Sequence, residues 1–384
     1  MRIGLDGRPM LAVSSGIGKY TYELTAALRQ LPNAPEVILY YGFFWSKSIK
    51  KPDRTYSVAD GSGSRLRNQM LDRMPTKFKK WVKKQVIDWR FDLRQTDLFH
   101  ATNYTMESLS VPFVVTVHDL SFKRFPETHP VGRLKWLNAN LSSTLRHARR
   151  IIADSQSTKE ELVALMGVAA DRIDVVYLGV TPDFRPRNAT GLAVELRQYG
   201  LRPKGYILSV GTLEPRKNIL SLLQAYERLP AFLQKRWPLV VAGMRGWKDG
   251  AISEGLSALA REGKIRTLGY VPEQKLPAIY AGAALFVYPS VYEGFGLPPL
   301  EAMASGVPTV VSNRTSLPEV VGDAGAMVDP EDVVSMAHVL ESLLEDPPAL
   351  KEMTRKGLAR AKRFTWDACA ANTLEVYRRA LRQN

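Results

Sequence analysis

The 384-residue chain has a single cysteine, Cys369, so no disulfide can form within it, and a reducing compartment is the expected home. Long apolar runs are missing too. No stretch approaches the roughly eighteen apolar residues that a membrane-spanning helix needs, and the opening MRIGLDGRPM lacks the uninterrupted apolar core of a secretory signal. The expectation is a cytoplasmic protein. No internal repeat, low-complexity segment, helix-turn-helix, zinc-finger or RNA-binding signature is visible. Acidic residues are also in short supply: 38 Asp and Glu against 53 Lys and Arg leave a formal net charge of +15. Such an excess points to an anionic partner, whether nucleic acid, a phosphate-rich ligand or an acidic lipid surface.

What is present describes a soluble globular chain, 45% hydrophobic and 24% charged, long enough for two domains with a core each. The positive charge is concentrated. Between Arg65 and Arg94 there are ten Lys or Arg against three Asp, with Phe78, Trp81, Val82, Val86 and Trp89 recurring at helical spacing among them. That pattern reads either as a basic amphipathic helix lying on an anionic membrane or as a charged surface helix with one face on the core.

Strands alternate with helices along the rest of the chain. RIGLDG, VILYYGF, LFHAT, FVVTVHDL and IIADS form a first series of near-continuous apolar runs, as buried parallel strands require. A second series runs through YILSVGTL, PLVVAGM, KIRTLGYV, AALFVYPS and VPTVVSN, and VTPDFRPRNATG at 180–191 connects the two. This predicts two doubly wound α/β domains, with a ligand in the crevice outside the carboxyl ends of their strands. The cut falls between 1–185 and 186–365.

The loops at those strand ends carry the candidate chemistry. In MLAVSSGIGKYTYEL, Gly16 and Gly18 stand between a strand and a helix, where bare N–H groups hold a phosphate or simply make a tight turn; the run lacks the glycines of a Walker A or dinucleotide fingerprint, having Val13 and Thr21 in their places. SVGTLEPRKNIL puts Arg216 and Lys217 at the expected start of a helix, where the dipole disfavours cations, so either a bound diphosphate reverses that or both extend into water. VTVHDLSF places His118 and Asp119 just past a buried strand, as structure or as site. In ADSQSTKEEL, Ser157 and Glu160 read as a capping box.

YEGFGLPPLEAM is the most informative stretch. Glu293 falls at a strand end, Gly294 and Gly296 leave the backbone bare, Pro298 and Pro299 suit the first turn of a helix, and Glu301 is expected in that turn. Carboxylates accept hydrogen bonds only, so a pair with seven residues between them suits two sets of hydroxyls.

With these residues in order, the chain resembles the retaining glycosyltransferases of family 4. The likeness covers nearly the whole length, from the Gly16-Ile17-Gly18 loop through VHDL, EPRKN and the glutamate pair to LEAMASGVPTVVS, LPEVVGDAG and FTWDACAANTLEVY. It implies a GT-B fold, two Rossmann-like domains facing across a cleft, with the last helix (366–384) packed back on the first domain. It also implies sugar transfer from a nucleotide diphosphate donor to an acceptor hydroxyl with retention. The nucleotide sugar is a substrate, no cofactor or metal is expected, and the chain has no D-x-D triplet.

Carried over to this sequence, Glu293 would bind the donor sugar, Glu301 the ribose, Arg216 and Lys217 the diphosphate, and His118 the 6-position of the donor sugar. Gly294, Phe295, Gly296 and Leu297 would hold sugar and phosphate by their backbones. Gly16 and Gly18 would lie against the phosphate, Thr212 would join the donor site, and Tyr270, Val271 and Pro272 would sit by the base. HDLSFKRFPETHP resembles the mannosyl- and rhamnosyl-transferring members, which implies a GDP-sugar before a UDP-sugar and a glycan or lipid-linked acceptor of surface polysaccharide assembly. The expected place is the inner face of the plasma membrane, held through 65–94. A nucleic-acid-binding protein or a nucleotide-sugar epimerase are the rivals; the first leaves the glutamate pair unexplained and the second needs no acceptor.

Overall fold

The computed structural model describes residues 1–11, 16–42, 44–49, 96–106, 111–246 and 250–382, and the basic stretch 65–94 lies outside them. The first sheet contains β1 (Arg2–Asp6), β2 (Glu36–Tyr40), β3 (Trp45–Ser46), β4 (Leu98–Ala101), β5 (Phe113–Val117), β6 (Arg150–Ala153) and β7 (Ile173–Val175), in the order β3-β2-β1-β4-β5-β6-β7. β1 pairs in parallel with β2 and β4, and β4 with β5, while the two-residue β3 is antiparallel to β2. β5 is buried at all five positions, as its FVVTV sequence demands. His100 is the polar exception on β4. Its two ring nitrogens reach the Tyr377 hydroxyl at 2.7 Å and the Thr116 hydroxyl at 2.8 Å, which removes the cost of burying it.

The second sheet contains β8 (Ile207–Val210), β9 (Leu239–Ala242), β10 (Ile265–Gly269), β11 (Leu285–Tyr288), β12 (Thr309–Ser312) and β13 (Ala326–Val328), in the order β10-β9-β8-β11-β12-β13. The order reverses between β8 and β11, which lie side by side and parallel. In a doubly wound sheet that reversal leaves a crevice outside the strands' carboxyl ends, because the helices following the two strands pack on opposite faces. The helix Ile219–Glu227 buries Ile219, Leu222, Leu223 and Tyr226 at three- and four-residue spacing against Leu239, Val241 and Leu285. Each large apolar side chain so buried contributes roughly 1.5–3 kcal/mol.

Residues Met1–Val117, Asn140–Ile152 and Ala370–Asn384 form one compact unit, and His118–Ala139 with Ala153–Cys369 a second. The last helix, Trp366–Arg382, therefore gives its residues from Ala370 onward to the first unit, where Tyr377 meets His100. Among the described residues no helix is long and apolar enough to cross a membrane.

Candidate active site

Two loops of the second unit leave the sheet at the reversal point. After β8 the chain runs Gly211-Thr212-Leu213-Glu214 into a single 3₁₀ turn, Pro215–Lys217, and only then, through Asn218 in the left-handed region (φ 56°), into the helix Ile219–Glu227. Arg216 and Lys217 thus precede the helix instead of opening it, and the dipole penalty expected from their sequence position does not fall on them. The loop is pinned from the next strand: Leu213 N–H donates to the Met244 carbonyl at 2.9 Å.

After β11 the loop Pro289–Gly296 carries Glu293 and ends at Gly296, whose φ of 120° is open to glycine alone. The helix Leu297–Ala304 follows, with Pro298 and Pro299 in its first turn, where no N–H is needed. Glu301 is the fifth residue of that helix, past the first turn where the sequence spacing put it.

The two loops meet through charge. Lys217 Nζ lies 2.5 Å from Glu293 Oε1 and donates to the Tyr288 hydroxyl at 2.8 Å, and that hydroxyl donates in turn to Glu293 Oε1 at 2.8 Å. Arg216 grips Glu214 Oε1 at 2.7 Å, the Tyr292 carbonyl at 3.0 Å and Glu293 Oε2 at 3.5 Å. Lys217 and Glu293 are both buried and the Arg216 side chain is mostly covered, so neither cation simply extends into water; their counter-charges belong to the chain itself.

Burial alone would push Glu293's carboxyl upward, but Lys217 and Arg216 outweigh it and hold the group below the ordinary carboxylate value. Lys217 is displaced downward, first by burial and then by the Arg216 charge beside it. Arg216, although burial opposes its charge, is driven further toward the charged form by Glu293 and Glu214.

The segment beginning at His118 is seated on the second of these loops. A methyl group at Gly294 would stand 1.8 Å from the His118 carbonyl oxygen and 2.9 Å from the Asp119 Cβ, so only glycine permits the approach. The Tyr292 hydroxyl accepts from the Leu120 N–H at 2.8 Å and donates to Glu161, whose other oxygen takes Arg124 Nε at 2.7 Å. Thr158 Oγ1 adds a bond to the Gly294 carbonyl at 3.2 Å, and the Glu293 N–H donates to Thr315 Oγ1 at 3.0 Å. His118 Nδ1 meets Asp154 Oδ2 at 2.7 Å. Asp154 is buried, its other oxygen has no hydrogen-bond partner, and burial, only partly countered by His118, raises its carboxyl above the ordinary value.

Of the residues picked from the sequence, His118, Arg216, Lys217, Glu293, Gly294, Phe295, Gly296 and Leu297 lie on or against these two loops. Thr212 is in the first of them. Glu301 is buried and its carboxylate acts on the Tyr280 hydroxyl, which burial foremost and Glu301 next hold in its protonated form. Tyr270, half exposed, and buried Val271 follow β10, which is separated from β11 by two strands, β9 and β8, in the sheet order. Gly16 and Gly18 open the helix Gly16–Gln30 and belong to the other compact unit.

The capping box is corrected. The cap of helix Gln156–Met166 is Ser155, whose hydroxyl accepts from the Thr158 N–H, and the Gln156 and Ser157 N–H groups are taken by Glu319. Ser157, two residues past the cap, already lies inside the helix. Tyr288, Glu214, Asp154 and Tyr292 are the participants that the sequence reading did not single out. The first three were legible as polar residues at or just beyond strand ends; Tyr292 gave no separate signal. Among the described residues no group of three or more His, Cys, Asp or Glu is placed to hold a metal ion.

The comparisons bear on the family and the fold. The family model "Glycosyl transferases group 1" matches residues 195–360 and "Glycosyltransferase Family 4" matches residues 14–184. The chain is 39% identical over 385 residues to the O-antigen chain mannosyltransferase B of Escherichia coli, covering 98% of this chain and 100% of that one. It is 36% identical over 252 residues to the serotype-specific mannosyltransferase WbdA of the same organism, 64% of this chain and 30% of the relative. Among solved structures, Anabaena Alr3699/HepE in complex with UDP-glucose superposes with a TM-score of 0.70 at 19% identity, over 98% of this chain and 99% of that one.

Proposed function

The chain belongs to the glycosyltransferases of family 4, and from that premise we propose that it moves mannose from a nucleoside diphosphate donor to a hydroxyl of a glycan or lipid-linked acceptor in surface-polysaccharide assembly. The observation that carries the reading is the pair of cations, partly buried Arg216 and buried Lys217, held at the reversal point of the second sheet beside a glycine-rich loop. Mannose as the sugar rests on a relative named as a mannosyltransferase that matches along the full length, and on others that match in part. GDP as the base, with UDP second, rests on the HDLSFKRFPETHP stretch alone.

In this reading the bond between the sugar's anomeric carbon and the diphosphate oxygen breaks, the acceptor oxygen joins the same face, and its proton passes to the departing phosphate. Negative charge then collects on the diphosphate as the sugar becomes cationic. Cations fixed in place before the reaction favour that charge distribution over the ground state, since they need no reorganisation. Lys217 and Arg216 would serve the diphosphate, Glu293 the sugar hydroxyls, Glu301 the ribose, and His118, steadied by Asp154, the far side of the sugar. A retaining hydrolase would need two carboxylates about 5 Å apart as acid and nucleophile. Here the two glutamates are assigned to the sugar hydroxyls and the ribose, not to the two sides of the scissile bond.

The test is steady-state transfer from GDP-mannose, with UDP-sugars in parallel, to a lipid-linked mannosyl acceptor. Lys217→Ala should lower kcat by two orders of magnitude or so, the range for losing one fixed donor to a developing oxyanion. Glu301→Ala should act chiefly on the donor's KM. Unaltered kcat in Lys217→Ala would remove that residue, and the assignment with it.

A further inference from the structure

We propose that Glu293 is a built-in competitor for the donor's diphosphate: its carboxylate holds the same Lys217 and Arg216 donors that the phosphates would use, so a nucleoside diphosphate binds by displacing it and is expelled when it returns. The inference rests on the diphosphate reading of Arg216 and Lys217 and goes one step past it.

The charges at the site balance. Arg216 and Lys217 face Glu214 and Glu293, two cations against two anions, all within bonding distance. A diphosphate adds about two further negative charges, and at low local dielectric a third anion on two cations is strongly unfavourable. One carboxylate has to give way. Glu214 is the more firmly placed toward Arg216, at 2.7 Å, whereas Glu293 touches Arg216 only at 3.5 Å and makes its close contacts with Lys217 and Tyr288.

A displaced, buried carboxylate needs donors, and a carboxylate left without them costs several kcal/mol. Sugar hydroxyls supply them; a nucleoside diphosphate without a sugar does not. The intact donor therefore compensates Glu293 for its lost partners, and the leaving nucleotide does not. Once the sugar has moved to the acceptor, Glu293 re-pairs with Lys217 and drives the nucleotide off. The same side chain thus favours donor over product at a site whose phosphate contacts are common to both.

Calorimetric titration of the full chain with GDP and, separately, UDP tests this, together with product inhibition of transfer. Glu293→Gln keeps the shape and removes the charge, so it should tighten the nucleotide by about tenfold or more and lower the inhibition constant in step, even as transfer falls. Glu293→Asp, which draws the charge back by one methylene, should tighten it by less. Lys217→Ala and Arg216→Ala should both weaken it. If the two cation variants weaken the nucleotide while Glu293→Gln and Glu293→Asp leave it unchanged or weaker, the competitor role is overturned and the diphosphate site stands. If neither cation variant alters nucleotide affinity, the diphosphate reading falls and this inference with it.

Discussion

At the scale of single residues, the site is a set of buried ionisable groups whose proton affinities are moved by neighbours in opposite directions. Asp154 gives the clearest consequence. Its carboxyl lies above the ordinary value because burial outweighs the attraction of His118. A carboxyl that binds its proton more tightly folded than unfolded adds stability below the unfolded value, and that contribution is lost as pH rises through the folded one. At neutral pH the Asp154 charge is therefore a cost to folding. Asp154→Asn keeps an oxygen to accept from His118 Nδ1, so its Tm at neutral pH should equal or exceed the parent's, with a flatter dependence as pH rises from the ordinary carboxylate value upward. Transfer should still fall, by about tenfold, because a neutral amide holds the imidazole less firmly. Calorimetry across that pH range checks the first part, and a Tm lowered by several degrees at neutral pH would refute it. Glu293 runs the other way: held below the ordinary value, it adds stability that is present above the unfolded value and lost on acidification through the folded one.

At the scale of elements, the backbone of the loop Pro289–Gly296 matters as much as its side chains. Gly294 lies so close to the His118 carbonyl that an added methyl meets backbone at 1.8 Å, and backbone cannot rotate aside. Gly294→Ala should therefore separate the loop from the segment 118–125, costing about 3 kcal/mol or more of stability and on the order of a hundredfold in transfer. Gly16→Ala is the contrasting case. Among the described residues an added methyl there meets nothing within 4 Å, and the residue opens a helix, so stability should hold or rise by a few tenths of a kcal/mol. Denaturant melts of both variants decide it; equal destabilisation would mean that the packing at Gly294 is softer than the geometry requires. The same loop explains the placement of Arg216 and Lys217 outside the following helix. Asn218 takes a left-handed conformation between turn and helix, and that break aims both cations at Glu293.

At the scale of the whole molecule, the excess of 15 positive charges is not accounted for at the site, where the bonded cations and carboxylates balance. The ten Lys and Arg between Arg65 and Arg94 remain, and we propose that they bring the enzyme to an anionic membrane carrying its acceptor. Each basic residue near such a surface contributes about 1 kcal/mol. Reversing Lys79, Lys80, Lys83 and Lys84 to Glu should abolish co-sedimentation with phosphatidylglycerol-containing vesicles while leaving transfer to a soluble acceptor analogue intact; vesicle binding that ignores lipid charge would defeat the idea. Ten of the thirteen described strands were legible from apolar runs, because a strand buried on both faces has little room for anything else. β3, β7 and β13, of two or three residues each, were not, since so short an edge strand leaves no pattern. The sequence by itself determined the alternating two-sheet plan, the family, and the glutamates, glycines and basic pair of the site, because each of these follows from residue type and local spacing. Only the tertiary structure decided that Glu293 is the counter-ion of Lys217, that Asp154 stands behind His118, and that Ser155 caps its helix. The first two depend on which distant strand ends fold to within 3 Å of one another, a distance that no local pattern carries, and the third on where the helix begins.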